Sequence, residues 1–249
     1  MIFIDNVSKR FGSQQVLNKV SLRIEDGKTT AIVGPSGVGK SVLLKLIMGI
    51  LSPDEGEIWI DNDNITRSSS EGDRNRIRSK LGVLFQAAAL FDSLTIYQNV
   101  AFPLQQRTSL SRREIHAKVE FMLDALSLSA YVDKLPQQVS IGIRKRVGLA
   151  RALVTEPTTV LFDEPNTGLD PLVGQEVYDL IRECKQRWEF TGVVISHEIP
   201  EVFQVSDRVA MLLNGTFRSE GTPEELKNSQ DPCVRQFIEG RIDGPIKIQ

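Results

Sequence analysis

"TTAIVGPSGVGKSVLLKLIMGIL", residues 29–51, decides how the rest of the chain is read. Thr29–Val33 forms a near-continuous apolar run suited to a buried strand. The next eight residues, Gly34, Pro35, Ser36, Gly37, Val38, Gly39, Lys40 and Ser41, fit the pattern G-x-x-x-x-G-K-[ST]. "SVLLKLIMGIL" then reads as an apolar helix stopped by Ser52-Pro53. Gly37 and Gly39 let the backbone curl so that successive N–H groups converge on phosphate oxygens. Lys40 supplies a mobile positive charge for the outer phosphates, and the Ser41 hydroxyl suits Mg²⁺. The following helix aims its positive end at the same anion. The alternative, a flexible glycine turn, leaves the strand-then-helix context without a reason. The stretch therefore predicts binding of a nucleoside triphosphate with magnesium.

Two further strand ends carry chemistry of the same kind. In "TTVLFDEP", Asp163 and Glu164 stand just past a buried strand run, the end of an open α/β sheet where ligands bind. Asp163 is placed to hold the magnesium, and Glu164 to accept a proton from the attacking water. Capping of the next helix is the alternative for this pair. "GVVISHE" has the same form and puts His197 where it can contact a γ-phosphate or orient the water; a purely structural histidine is the alternative. Gln86, after "LGVLF", fits a magnesium or water ligand, against a plain strand-end residue.

Composition narrows the class. A chain of 249 residues, 41% hydrophobic, is long enough to bury a core without disulfides or metals, as one large domain or one with a satellite. A net charge of −2 offers no global basic surface for nucleic acid. Cys184 and Cys233 stand far apart with no histidine cluster, which fits a reducing compartment and no zinc site. "MIFIDNVSKRFG" carries Asp5 inside its apolar run, so it is not a secretory signal, and nowhere do about 18 apolar residues run uncharged. The expectation is a soluble cytoplasmic protein whose membrane role, if any, comes through a partner.

The opening 33 residues alternate apolar and polar positions and read as short strands with a turn at Glu25-Asp26-Gly27. "GEIWIDNDNI" reads as a strand pair turning at Asn62-Asp63-Asn64, and residues 66–80 as a solvated loop and short helix, with arginine–phosphate contact as the alternative. From about 90 to 158 the pattern is helical. "SRREIHAKVEFMLDALSL" opens with a Ser111–Glu114 capping box and carries a core stripe of Ile115, Val119, Met122 and Leu126, leaving His116 toward solvent. "TTVLF" and "GVVIS" are strands separated by the helical "LVGQEVYDLIRECKQRW", and "RVAMLLNGTFRSEG" is a hairpin turning at Asn214-Gly215. The order implies an α/β fold: a parallel-sheet core interrupted by a helical insertion.

With these parts in sequence, the chain resembles the ATP-binding subunit of ABC transporters over nearly its whole length. "GPSGVGKS" resembles the Walker A motif, "VLFQ" the Q-loop, "TVLFDEP" the Walker B motif, "NTGLDP" the D-loop and "ISHE" the switch histidine. The resemblance implies a RecA-like P-loop core with an antiparallel β-subdomain and a helical subdomain insertion. The core and β-subdomain fall at residues 1–87 and 159–222, the helical subdomain at 88–158 and a C-terminal extension at 223–249. It also implies ATP as the nucleotide, Mg²⁺ as the metal, Phe11 stacked on adenine and Asp170 of the D-loop beside the nucleotide. A buried strand phenylalanine remains the alternative at Phe11. In the family, ATP is hydrolysed by a head-to-tail dimer, each ATP lying between one subunit's Walker A and the other's signature loop, usually Leu-Ser-Gly-Gly-Gln.

Here that loop is "VSIGI": Ser140 and Gly142 remain, while Ile141 and Ile143 replace a glycine and a glutamine. A β-branched Ile141 would be strained by about 1–3 kcal/mol if the loop needed φ > 0 there. Three readings stay open: a functional but altered grip, weak hydrolysis, and a structural helix start. "GVLFQAAALFDSLTIYQNVAFPL" and the tail "GTPEELKNSQDPCVRQFIEGRIDGP" resemble the ATPases of MCE-type lipid transporters. That implies a transmembrane permease docking near Leu90, Phe91, Leu94 and Tyr97, an MCE-type lipid-binding protein in the complex, and a place on the inner face of the cytoplasmic membrane. The same four residues filling the helical subdomain's core is the alternative. "GPIKIQ" reads as a surface tail. An ATPase acting on DNA or ribosomes is disfavoured by the single domain and the lack of heptads or a basic stripe, so no nucleic-acid partner is expected. A GTPase is disfavoured by the lack of an Asn-Lys-x-Asp reader. An ATP-gated clamp with poor hydrolysis, and an importer for another cargo, remain.

Overall fold

Alternating burial over the first 24 residues builds an antiparallel sheet. In β1 (Ile2–Phe11) the inward side chains are Ile2, Ile4 and Val7; in β2 (Gln14–Ile24) they are Leu17, Val20, Leu22 and Ile24. The two pair antiparallel from Ile2↔Ile24 to Phe11↔Gln14. Short strands were expected here, but bulges keep strands of 10 and 11 residues paired, with Asn6 and Lys19 taking left-handed backbone at the register shifts. β4 (Glu55–Ile60) adds to the other side of β1, and β5 (Asp63–Asn64) pairs with β4, giving the order β2-β1-β4-β5. The turn expected at Asn62-Asp63-Asn64 lies instead at Asp61-Asn62. Asp61 takes φ 54°, Asp63 and Asn64 pair with Ile60 and Trp59, and the Asn64 side chain accepts from the Thr66 and Arg67 amides.

The computed structural model describes residues 1–68 and 70–247, and the chain forms two units, Met1–Arg78 with Thr191–Gln249, and Ser79–Phe190. The first unit holds the sheet above and a second set of strands. There β3 (Thr29–Val33), buried throughout, runs parallel to both β8 (Thr191–Ser196) and β9 (Arg208–Leu213). Strands covered on both sides read as unbroken apolar runs, which is why "TTAIV" does not alternate. β10 (Thr216–Gly221) returns antiparallel along β9 through Asn214-Gly215, at φ 51° and 74° as a type I′ turn requires. α1 (Lys40–Ile47) follows β3 after the glycine-rich loop. It was expected to run to Leu51, but Gly49 takes φ 64° and ends it early, with the Ile50 amide returned to the Lys45 carbonyl. α2 (Glu71–Arg78) is the short helix expected within the polar segment 66–80, of which Ser69 lies outside the described residues. α7 (Ile199–Gln204), α8 (Pro223–Lys227) and α9 (Pro232–Ile238) complete this unit. The last two residues of the "GPIKIQ" tail, Ile248 and Gln249, lie outside the described residues.

The second unit pairs β6 (Leu81–Leu84) parallel with β7 (Thr159–Asp163) and carries α3 (Ile96–Arg107), α4 (Arg112–Ala125), α5 (Ile141–Leu153) and α6 (Pro171–Trp188). The helical block expected over 88–158 lies inside this unit. The Ser111–Glu114 capping box starts α4, and Ile115, Val119, Met122 and Leu126 are buried as the 3.6-residue period demands. His116 is exposed on the outer face, 3.1 Å from the Tyr97 hydroxyl and 3.2 Å from Glu120. Among the described residues no helix is long and apolar enough to cross a membrane.

Candidate nucleotide site

In the first unit the phosphate loop is fixed by what its glycines permit. Gly34 takes φ 149°, and a Cβ there would run into the Leu212 carbonyl of β9. Gly39 takes φ 108° as the residue before α1, and a Cβ there would come within 3.0 Å of the Val16 and Leu17 side chains. Gly37 takes φ 79° in open space, so only its backbone conformation asks for glycine. Lys40 is buried and turned back into the loop, its Nζ donating to the Gly34 carbonyl at 2.8 Å and the Pro35 carbonyl at 2.9 Å. Ser41 opens the first turn of α1 with an exposed side chain. The N–H groups that open a helix and a lysine beside them together suit an anion.

A cavity of about 730 Å³ borders Pro35, Ser36, Gly37 and Val38, and His197 lines it as well. The structure thus brings to one cavity the loop and the histidine that stand 159 residues apart by number, from Val38 to His197. Phe11, at the end of β1, is 48% exposed, so the alternative of a buried strand phenylalanine fails. The Lys9 ammonium lies 5.6 Å from its ring centre.

In the second unit Asp163 is the last residue of β7, and Glu164 follows with φ 46°. Left-handed backbone in a non-glycine residue costs about 1–3 kcal/mol and is found at sites where the strain has a use. The Thr167 hydroxyl donates to Glu164 Oε2 at 3.1 Å, and the Thr167 amide to the Glu164 carbonyl at 3.3 Å. The next helix is not capped by this pair. Asp170 caps α6, its Oδ1 accepting from the Leu172 and Val173 amides, both at 3.1 Å. Asn166 is buried and accepts from the Tyr178 hydroxyl at 3.1 Å.

The altered loop proves unstrained. Ser140 caps α5, its Oγ accepting from the Ile143 amide at 3.4 Å, and Ile141 is the first helical residue, outside the left-handed region. The strain argued from its β-branch does not arise, because the helix supplies the backbone this residue prefers. Gly142 also has negative φ, and a Cβ there would meet only Val173 Cγ1, at an ordinary 3.5 Å. Neither conformation nor packing within the chain asks for glycine at 142.

Gln86 projects an exposed side chain from the turn after β6, while its carbonyl accepts from Lys145 Nζ. Ala88 and Ala89, next along, hold φ 58° and 46°. Arg151 donates to both of their carbonyls, at 2.7 Å and 2.8 Å. Lys145 is 2% exposed, and burial pushes its ammonium down to about 8. Sequence reading missed Lys145 and Arg151. The available signal was their spacing with Gly148, three residues apart each time, on one side of α5.

Beyond Gln86, Leu90, Leu94 and Tyr97 are half-buried and Phe91 is 41% exposed. This segment is organised by Asn99, a fully buried side chain that accepts from the Phe91 amide and donates to the Phe91, Leu94 and Thr95 carbonyls.

The model of the ABC transporter family matches residues 17–167, which span the phosphate loop, Gln86, Ser140 and the Asp163–Glu164 pair. Over its full length the chain is 36% identical to the intermembrane phospholipid transport system ATP-binding protein MlaF of Haemophilus influenzae, covering 94% of that protein. It is 40% identical over 98% of its length to a probable ribonucleotide transport ATP-binding protein, mkl, of Mycobacterium bovis, covering 68% of it. Among solved structures, CbiO1 from Clostridium perfringens, part of an ABC transporter complex, superposes with a TM-score of 0.84 at 30% identity, covering 97% of this chain and 95% of that one. A dimeric ATP-binding cassette in a post-hydrolysis state, bound to ADP and phosphate, gives 0.80 at 31% identity, covering 90% and 99%. The fold is that of these cassettes, a RecA-like P-loop core with an antiparallel sheet and inserted helices, and the chain belongs to the ABC transporter family.

Proposed function

We propose that this chain is the ATP-hydrolysing subunit of an ABC transporter that moves phospholipid between membranes, and that it works as a head-to-tail homodimer. The full-length likeness to the MlaF proteins supports the cargo class. The observation that carries the dimeric site is Gly142. It has no reason inside its own chain to lack a Cβ, yet it stands beside the Ser140 cap at the N-terminal end of α5. A bare backbone there leaves room for a phosphate held by a second copy.

In this reading Lys40 and the amides of the loop from Gly34 to Ser41 hold the outer phosphates of ATP, and the exposed Phe11 ring stacks on adenine. The Ser41 hydroxyl, the Gln86 amide oxygen and the Asp163 carboxylate would each offer Mg²⁺ the hard oxygen donor that it prefers. When bound, that ion neutralises charge developing between the β- and γ-phosphates. Glu164 accepts the proton of the attacking water, with Thr167 fixing its carboxylate, and His197 orients the water against the γ-phosphate. Asp170 works through the start of α6 at the D-loop. Residues 88–158 act as the helical subdomain, and Leu90, Phe91, Leu94 and Tyr97 receive a transmembrane permease. An MCE-type lipid-binding protein completes the complex, with this subunit on the inner face of the cytoplasmic membrane.

A second cargo reading, ribonucleotide, is favoured by the likeness to mkl alone. The test is to purify the chain from detergent-solubilised membranes with its companions, identify them and the lipids by mass spectrometry, and reconstitute the complex in vesicles. ATP-dependent transfer of labelled phospholipid is the expected result. ATP-dependent movement of ribonucleotide with no lipid transfer would replace the cargo.

A further inference from the structure

Lys145, Gly148 and Arg151 lie three residues apart along α5, and all three meet the turn that carries Gln86. Lys145 Nζ donates to the Gln86 carbonyl. A Cβ on Gly148 would overlap Leu84 Cδ1 and press on Ala88, so the helix backbone approaches this turn as closely as a bare Cα allows. Arg151 takes the Ala88 and Ala89 carbonyls, the two residues held in left-handed backbone. The turn is therefore attached to α5 through backbone atoms, independent of what its own exposed side chains do.

Ser140, the cap of α5, stands five positions before Lys145, a distance of roughly 7–8 Å at the helical rise. A helix of 13 residues moves as a body over such a length. Whatever displaces the Ser140–Gly142 tip must carry the Gln86 carbonyl with it, and the Gln86 side chain projects from that same residue. We propose that Lys145 is a positioning residue for ATP hydrolysis: it ties the backbone of Gln86 to the signature helix, so that engaging the Ser140–Gly142 tip on a nucleotide sets the placement of the Gln86 side chain.

A cation is an expensive way to fill this space. Burial disfavours the charged amine, and a methionine would fit the same volume without that penalty. The hydrogen bond to Gln86 is the contact that a thioether cannot reproduce.

The inference rests on the reading that Ser140 and Gly142 meet nucleotide across a dimer. The test uses the full chain with MgATP and three proteins: native, Lys145→Met and Lys145→Arg. Lys145→Met is expected to lower kcat about tenfold, leave KM for ATP within about twofold, and melt at or above the native temperature, because the loop that binds ATP is untouched while placement of a site group is lost. Lys145→Arg, which keeps a donor and a charge, is expected to recover most of the native kcat. If Lys145→Met turns over at the native rate, or if arginine fails to restore what methionine loses while both proteins fold, Lys145 only fills the core and the proposal is overturned. Should the methionine variant lose its cooperative melting transition, Lys145→Gln, which keeps an N–H donor, is measured against the Arg variant with the same two outcomes. ATP-dependent dimerisation of Glu164→Gln separates the failures. With no dimer the underlying reading falls and takes this one with it; with a dimer and a native-rate methionine variant, only the role of Lys145 falls.

Discussion

The Thr167 hydroxyl donates to Oε2 of Glu164 at 3.1 Å, across a turn in which Glu164 holds φ 46°. The carboxylate that follows the β7 strand is thus aimed by its backbone and steadied by a neighbour three residues on. Glu164→Gln keeps the shape and removes the basicity, so turnover should fall by about 10²–10⁴-fold. ATP should then accumulate on a dimer visible by gel filtration. Thr167→Val should lower kcat by about tenfold or less, since it loosens the base without removing it. A Glu164→Gln protein that releases phosphate at the native rate would remove Glu164 from the chemistry.

Lys40 acts at the binding step. Its amine already reaches the Gly34 and Pro35 carbonyls, so it sits at the mouth of the loop rather than in solvent. Charge-assisted hydrogen bonds of this kind contribute about 1.5–3 kcal/mol, so Lys40→Ala should weaken ATP binding by about 10–100-fold in titration calorimetry. Equal affinities for the two proteins would show that the loop amides suffice.

Gly142→Ala separates folding from function. The added methyl meets only Val173 at 3.5 Å, and alanine is the better helix former by up to about 1 kcal/mol. The melting temperature should hold or rise while ATP turnover falls at least about tenfold, because the methyl occupies the approach to the helix tip. Ile141→Gly is the companion: the residue is helical and 43% exposed, so activity should be unchanged or raised. A large loss would mean that the Ile141 side chain packs on a specific partner.

Lys145 makes stability depend on pH in one direction. Its folded pKa of about 8 lies below the unfolded value of 10.5, so between these limits the unfolded chain binds more protons than the folded one. Stability contributed by this group therefore rises with pH over that interval and is flat below it. The difference in melting temperature, native minus Lys145→Met, should grow between about pH 8 and 10.5 and stay level below pH 8. A constant difference would mean that the amine is not desolvated.

Asn99 is the keystone of the segment proposed to receive the permease. Its loss leaves the Phe91 and Leu94 carbonyls without their side-chain donor, so Asn99→Ala should destabilise the chain by about 2–3 kcal/mol. Copurification of the permease should fall in the same variant. Retained copurification at native yield would place the docking surface elsewhere.

Reading from residues alone reached the parts whose chemistry is local. The loop from Gly34 to Ser41, the strand-end positions of Asp163 and His197, the Ser111–Glu114 box and the Asn214-Gly215 hairpin are each written in fewer than ten consecutive residues, and each stands where the pattern put it. Two boundaries moved because a backbone conformation competed with a stop signal. Gly49 ended α1 before Pro53 was reached, and Asp61 turned one residue ahead of the asparagine-rich run. The capping role of Asp170 and the Lys145–Gly148–Arg151 face stayed out of reach for another reason. A carboxylate that caps and a lysine that is buried look, in sequence, like any charged residue on a surface helix. Only their partners give them their roles: the Leu172 and Val173 amides for Asp170, and carbonyls some sixty positions away for Lys145 and Arg151.

Gly34 touches the Leu212 carbonyl, Gly39 faces Val16 and Leu17, and Gly215 would, with a Cβ, strike the Val16 carbonyl. Gly39 and Gly215 face the same Val16 carbonyl, so a methyl group admitted at either presses on backbone that also borders the other. Mutational drift is thereby nearly closed to this corner of the protein. Sequence change is better tolerated on surfaces such as the Phe91 segment, where an exposed side chain can change without moving a main chain.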